Sequence, residues 1–260
     1  MATDRSDKKR VLLKIGTNTL TRETSQISRG KIEDIGRQIA ALGDSHEFIV
    51  VSSGAIAVAR QFVDLESNGK EINVKQALAA IGQPHLMRIF QENFRELGLL
   101  TSQCLLSYED FNRDVSRRNI ANTIEVLLAN NYIPIINEND TVATEEIQFG
   151  DNDKLAAMTG RLLGVDLVII ATNTFGIYTR QSFSSDQKRT IERVSDLDLL
   201  KDEVLQDKSS RGTGGMKSKI EAAEILRQGN IETWIVNGIE DNFMVRAMNN
   251  EVPFTRILNR

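Results

Sequence analysis

Five short, nearly unbroken apolar runs punctuate the chain: residues 11–15, 48–51, 132–136, 167–170 and 234–236. Runs this short, apolar without polar alternation, are strands buried on both faces. The intervals between them carry helical spacing. Ile32, Ile35, Ile39 and Leu42 recur every three or four residues, with Ser28 before them and Gly43 after them, which predicts a helix from cap to stop. Leu78, Ile81, Ile89, Phe90, Phe94 and Leu97 predict a longer helix bent near Pro84, and a further helix is expected from about Asn119 to Asn130. Strand and helix in alternation imply a largely parallel sheet with helices on both faces.

Composition narrows the function classes. The chain has 260 residues with 32 Lys and Arg against 36 Asp and Glu, a formal charge of −4, so no basic face for nucleic acid is expected. No apolar run approaches the roughly 20 residues of a membrane span, and residues 1–10 are too polar for a secretory signal. A single cysteine, Cys104, and two isolated histidines, His46 and His85, exclude an internal disulfide and a zinc cluster. A cytoplasmic, reducing compartment fits this usage. With no linker, repeat or low-complexity tract, residues 1–260 are expected to form one domain. Residues 179–215 are the least regular part, where loops are expected.

Four segments could carry chemistry. In the first, a buried strand delivers Lys14 and runs into Gly16-Thr17; a strand-end lysine beside glycine N–H groups suits a phosphate, although a lysine snorkelling to solvent reads the same way. In the second, Val50-Val51-Ser52-Ser53-Gly54-Ala55 leads from strand to helix, where a helix cap competes with an anion site. In the third, Ile136-Asn137-Glu138-Asn139-Asp140 opens a strand into consecutive polar groups, followed ten residues later by Gly150-Asp151-Asn152-Asp153; turns compete here, and the spacing is not that of a calcium loop. In the fourth, Arg211-Gly212-Thr213-Gly214-Gly215-Met216-Lys217-Ser218-Lys219 enters a helix; it is neither a Walker loop nor a dinucleotide fingerprint, and a flexible loop is its plain alternative.

In this order the four segments resemble the amino acid kinase family, and within it the branch that phosphorylates the side-chain carboxylate of glutamate. The resemblance spans about Val11 to Gly238. It implies a three-layer αβα sandwich on a mostly parallel sheet, with the amino-acid acceptor under the N-terminal part and ATP under the C-terminal part. By matching motif, Lys14, Lys219 and Asp153 are implied as catalytic, the lysines holding the transferred phosphoryl group and Asp153 orienting them. Ser53, Asp140 and Asn152 are implied to bind L-glutamate. Lys14, Thr172, Asn173 and the stretch Thr213, Gly214, Gly215, Met216, Lys217, Ser218 and Lys219 are implied to hold ATP, with Mg²⁺ accompanying the nucleotide. Proline as feedback inhibitor and a homo-oligomer are further expectations from the resemblance.

The residue types suit that chemistry. A carboxylate acceptor is already ionised at neutral pH, so no general base is needed, and catalysis reduces to positioning and charge neutralisation. An acceptor α-ammonium would take Asp140 as its partner. Two features depart from the family pattern. Asn173 stands where relatives have Asp, and the chain ends at Arg260, short of the C-terminal RNA-modification-type domain of many members, so regulation through that domain is not implied. Two alternatives accompany this reading: a kinase of the same fold acting on another small acid, and a nucleotide- or amino-acid-binding regulator without turnover. Met87, Met158, Phe94 and Trp234 read as core, Cys104 as a small buried hydrophobe, and both histidines as structural or exposed.

Overall fold

The computed structural model describes residues 7–65, 71–142, 152–179, 188–198, 200 and 215–259. In chain order these form β1 (Lys9–Ile15), α1 (Thr17–Thr21), α2 (Arg29–Leu42), β2 (His46–Ser52), α3 (Ala55–Ala59), α4 (Glu71–Glu96), β3 (Leu100–Leu106) and α5 (Asp114–Ala129). There follow β4 (Tyr132–Glu138), α6 (Asp153–Leu163), β5 (Leu167–Thr172), β6 (Arg193–Val194), α7 (Met216–Arg227), β7 (Glu232–Asn237), α8 (Phe243–Met248) and β8 (Thr255–Ile257).

The strands form one eight-stranded sheet in the order β3-β4-β2-β1-β5-β7-β8-β6. From β3 to β7 every pairing is parallel, and the sheet reverses at β8, which runs antiparallel to β7. Helices cover both faces, giving the expected three-layer sandwich. Period-two alternation along β1 sorts the layers: Val11, Leu13 and Ile15 pack with α2 and α4 through Ile32, Ile35, Phe90 and Phe94. Leu12 turns to the opposite face, against Leu155 and Ala156 of α6 and Leu226 of α7. Lys14, two residues on, therefore points towards α6 and α7.

Local signals account for most element boundaries. Ser28 caps α2, its hydroxyl accepting from the Lys31 N–H at 3.2 Å, and Gly164 closes α6 with φ +55°. The structure corrects several details. The helix expected from Asn119 begins at Asp114, and α4 extends from Glu71 to Glu96 with Pro84 inside it, exposed. Strands β3, β6 and β8 carry no buried apolar run; β3 is an edge strand with mostly half-exposed residues, so periodicity does not mark it. Cys104 lies on that edge and is half-buried, not core. Trp234, Met87 and Phe94 are buried as expected, whereas Met158 is only partly so. No helix among the described residues is long and apolar enough to cross a membrane.

One close approach governs the packing of α3 and α4. A Cβ on Gly82 of α4 would lie 1.8 Å from the Ala55 carbonyl oxygen, so only glycine lets α4 and α3 touch backbone to backbone. This contact holds α3 against the carboxyl end of β2.

Candidate active site

Strand β1 lies where the chain turns from building the sheet on one side, towards β2, to the other, towards β5. In open parallel sheets the crevice outside the carboxyl ends at such a switch point is where ligands sit. Lys14 is the penultimate residue of β1, Asp153 the first residue of α6 and Lys219 the fourth of α7. The three meet there. Lys14 Nζ is 2.6 Å from Asp153 Oδ1 and Lys219 Nζ is 2.9 Å from Asp153 Oδ2, so one carboxylate holds both ammonium groups, one on each oxygen. The Ser218 hydroxyl donates to Asp153 Oδ2 at 3.0 Å.

All three charges are buried, Asp153 completely. Burial pushes the Asp153 carboxyl up, but Lys14 and Lys219 outweigh it and hold the group well below the usual carboxylate range. Two lysines against one carboxylate leave a net positive charge at the amino ends of α6 and α7, whose backbone dipoles have the same sign. That combination is an anion site suited to a phosphoryl group. Lys14 does not snorkel to solvent; the apolar packing of β1 leaves it only the α6 face.

Beside this triad a cleft of about 610 Å³ opens over β1, β2 and β4, lined among others by Thr17, Ser53, Gly54, Asp140 and Asn152. Ser53 is not a helix cap. The residue before α3 is Gly54, at φ +107° and without a side-chain cap, which leaves the Ser53 side chain at the cleft. Asp140 follows the end of β4, and burial pushes its carboxyl up to about 6. Asn152 precedes α6 and is buried. Its Nδ2 donates to the Ser52 carbonyl and to Asn137 Oδ1, both at 2.7 Å. Asn137 Oδ1 also accepts from the Glu138 backbone N–H at 2.9 Å, and Asn137 Nδ2 donates to Gln83 Oε1 at 2.8 Å.

Thr172 and Asn173 lie at the end of β5, on the other side of β1. The Asn173 amide donates to Glu23 Oε1 at 2.8 Å, which pairs it with a carboxylate that follows α1. Gly215, Met216, Lys217 and Ser218 open α7 next to Lys219. Thr213 and Gly214, like Gly150, Asp151, Arg211 and Gly212, lie outside the described residues. Sequence reasoning passed over Gln83, Arg60 and Lys75, although the latter two line the cleft. Gln83 did carry a signal, being polar on a helical stripe with Ala79, Leu86 and Phe90.

Comparison with known proteins bears on the family and the fold. The profile described as "Amino acid kinase family" matches residues 9–237. A glutamate 5-kinase of Alkaliphilus oremlandii is 37% identical over 249 residues, covering 95% of this chain and 95% of its own. A glutamate 5-kinase of Caldanaerobacter subterraneus subsp. tengcongensis is 40% identical over 252 residues, covering 96% of this chain and 68% of its own. Among solved structures, the carbamate kinase of Giardia lamblia bound to AMP-PNP superposes with TM-score 0.68 at 15% identity, over 98% of this chain and 100% of that one. The UMP kinase of Ureaplasma parvum does so with TM-score 0.65 at 15% identity, over 96% and 99%. At that identity the two structures show the fold alone.

Proposed function

We propose, because the chain belongs to the amino acid kinase family, that it is a glutamate 5-kinase. It is an ATP-dependent phosphotransferase that moves the γ-phosphoryl group of ATP to the side-chain carboxylate of L-glutamate. The products are L-glutamyl 5-phosphate and ADP, the first step of proline biosynthesis. The observation that carries this reading is the pair of buried lysines on one buried carboxylate, beside a cleft with an acidic wall at Asp140.

The acceptor needs no base. An oxygen of the glutamate side-chain carboxylate forms a bond to the γ-phosphorus while the bond from phosphorus to the β–γ bridging oxygen breaks, and the electron pair leaves with ADP. Negative charge on the transferred group and the leaving oxygen is met by Lys14, Lys219 and the amino ends of α6 and α7. Asp153 keeps the two lysines side by side and lowers the cost of burying both. Asp140 and the side-chain oxygen of Asn152 accept from the α-ammonium of glutamate, and Ser53 donates to one of its carboxylates. That ammonium contact separates glutamate from an N-acylated analogue, which has lost the charge.

On the nucleotide side, Thr172, Asn173 and residues Gly215 to Lys219 hold ATP, and Thr213 and Gly214 join them on the strength of the motif. Among the described residues no group of three His, Cys, Asp or Glu side chains is placed to cage a metal. Mg²⁺ would accompany ATP on its phosphates, where it would neutralise phosphate charge. The continuous sheet supports reading residues 1–260 as one domain with an acceptor part and a nucleotide part. A cytoplasmic location, a homo-oligomeric assembly and feedback inhibition by proline belong to the same proposal; proline is expected to raise the glutamate concentration needed for half activity.

The test is ADP release with L-glutamate, N-acetyl-L-glutamate and L-aspartate as acceptors, in wild type and in Lys219→Ala. Turnover that depends on glutamate and falls about 10²–10³-fold in the variant is expected, the loss typical of one transition-state donor. Faster turnover with another acid, or binding of ATP without turnover, would overturn it.

A further inference from the structure

We infer that Gln83 is a positioning residue for the acceptor: by holding Asn137 in place it keeps the carboxamide of Asn152 fixed with its oxygen towards the α-ammonium of glutamate. This rests on the glutamate 5-kinase reading above.

Two backbone groups, whose roles cannot reverse, set the direction of the whole chain of amides. The Ser52 carbonyl can only accept, so the atom of Asn152 that meets it at 2.7 Å is the NH₂. The second hydrogen of that NH₂ goes to Asn137 Oδ1, also at 2.7 Å. Both Asn152 donors are thereby engaged, and what the side chain presents to the cleft is its acceptor oxygen. The Glu138 N–H can only donate, so the atom of Asn137 that meets it at 2.9 Å is the oxygen. The Asn137 NH₂ must then find an acceptor elsewhere, and it finds Gln83 Oε1 at 2.8 Å.

Gln83 is an expensive way to supply that acceptor. It sits on the buried stripe of α4 with Leu86, Met87 and Phe90, and its own Nε2 is buried with no hydrogen-bond partner among the described residues. An unsatisfied donor on an apolar stripe works against stability. Its counterpart is the Asn137 NH₂, which without Gln83 Oε1 is buried and unpaired, so that the Asn137 carboxamide gains by rotating away from its place beside Asn152. Asn152 would then be held by the Ser52 carbonyl alone, and its oxygen would no longer be fixed towards the ammonium.

Glutarate separates this role from a merely structural one, because it keeps both carboxylates of glutamate and lacks the ammonium. The measurement is the KM for glutamate and the inhibition constant of glutarate in wild type, Gln83→Leu and Gln83→Glu. Gln83→Leu suits the apolar stripe but removes the acceptor. It is expected to raise the KM for glutamate about tenfold while the glutarate constant and the KM for ATP move far less. Gln83→Glu keeps an oxygen for Asn137 and is expected to retain the wild-type ratio of the two constants, an outcome that burying a carboxylate would not favour if Gln83 only packed. Should Gln83→Leu not fold, Gln83→Asn, polar but one methylene short of Asn137, is expected to lose the ratio in the same way. Equal changes for glutamate and glutarate, or loss of the ratio in Gln83→Glu, would overturn the inference while leaving the kinase reading in place. Absence of glutamate-dependent ADP release in the wild type would overturn both.

Discussion

Replacing Asp153 by Asn changes one atom in a fully buried place and tests the central electrostatic argument directly. At an effective permittivity of about 20, each contact of roughly 2.6–2.9 Å between Asp153 and a lysine is worth about 6 kcal/mol of gross attraction, most of it offset by the desolvation of three charges. An amide keeps the volume and removes the charge. Whichever way it turns, its NH₂ faces one of the ammonium groups. Removing one partner from a buried ionic cluster costs about 3–5 kcal/mol. For a chain of this size that is a fall in Tm of roughly 6–20 °C. The pH window follows from the direction of the Asp153 shift. A carboxyl held below its unfolded value contributes stability that is present above about pH 4 and lost as pH falls further, so the deficit of the variant should be full at neutral pH and shrink only in acid. An added anion should partly replace the missing carboxylate, so ATP or sulfate should stabilise Asp153→Asn more than wild type. Thermal unfolding with and without these anions reads all three effects. A variant that melts within about 2 °C of wild type at neutral pH, with no extra response to anions, would refute the reasoning.

Three further outcomes follow from the same geometry. Because the Asp140 carboxyl titrates at about 6 and must be ionised to accept from the glutamate ammonium, the KM for glutamate should rise as pH falls below that value, and Asp140→Asn should show a raised KM that no longer varies with pH; a wild-type KM equal at about pH 5 and 7 would contradict this. Gly82→Ala should cost about 2–3 kcal/mol in a denaturant titration, since its Cβ meets backbone and α3 and α4 must part; a change under about 0.5 kcal/mol would show that the helices part freely. Asn173→Asp should set a carboxylate against Glu23, at an exposed site where the cost is below about 1 kcal/mol, and Glu23→Gln in the same chain should relieve it; additive effects in that double-mutant cycle would dissociate the two residues.

What could be read in the chain and what could not divides along a physical line. Local patterns were legible where one segment is buried on its own terms. The runs in β1, β2, β4, β5 and β7 had to be strands because both their faces are covered, and Ser28 marks the start of α2 by a short-range hydrogen bond to the Lys31 N–H, whereas Gly43 after it keeps helical dihedrals. Edge strand β3 and the short β6 and β8 left no such mark, because their burial comes from neighbours far along the chain. Lys14, Ser53, Asp140, Asn152, Asp153 and Lys219 stood out as residue types at strand and helix ends, but the sequence left a bland alternative for each segment. Tertiary structure chose between them. It assigned Lys14 to the α6 face through the two-residue period of β1 and brought Lys219 to the other oxygen of Asp153. It also left Ser53 at the cleft by giving the turn to Gly54. Gln83 shows the division most sharply: its polarity on an apolar helix stripe is visible in the sequence, yet its meaning depends on Asn137, 54 residues away. Periodicity states which side of an element is buried, because side-chain direction is a local property. Which elements then face each other depends on the order of strands in the sheet, a non-local property that only the folded chain decides.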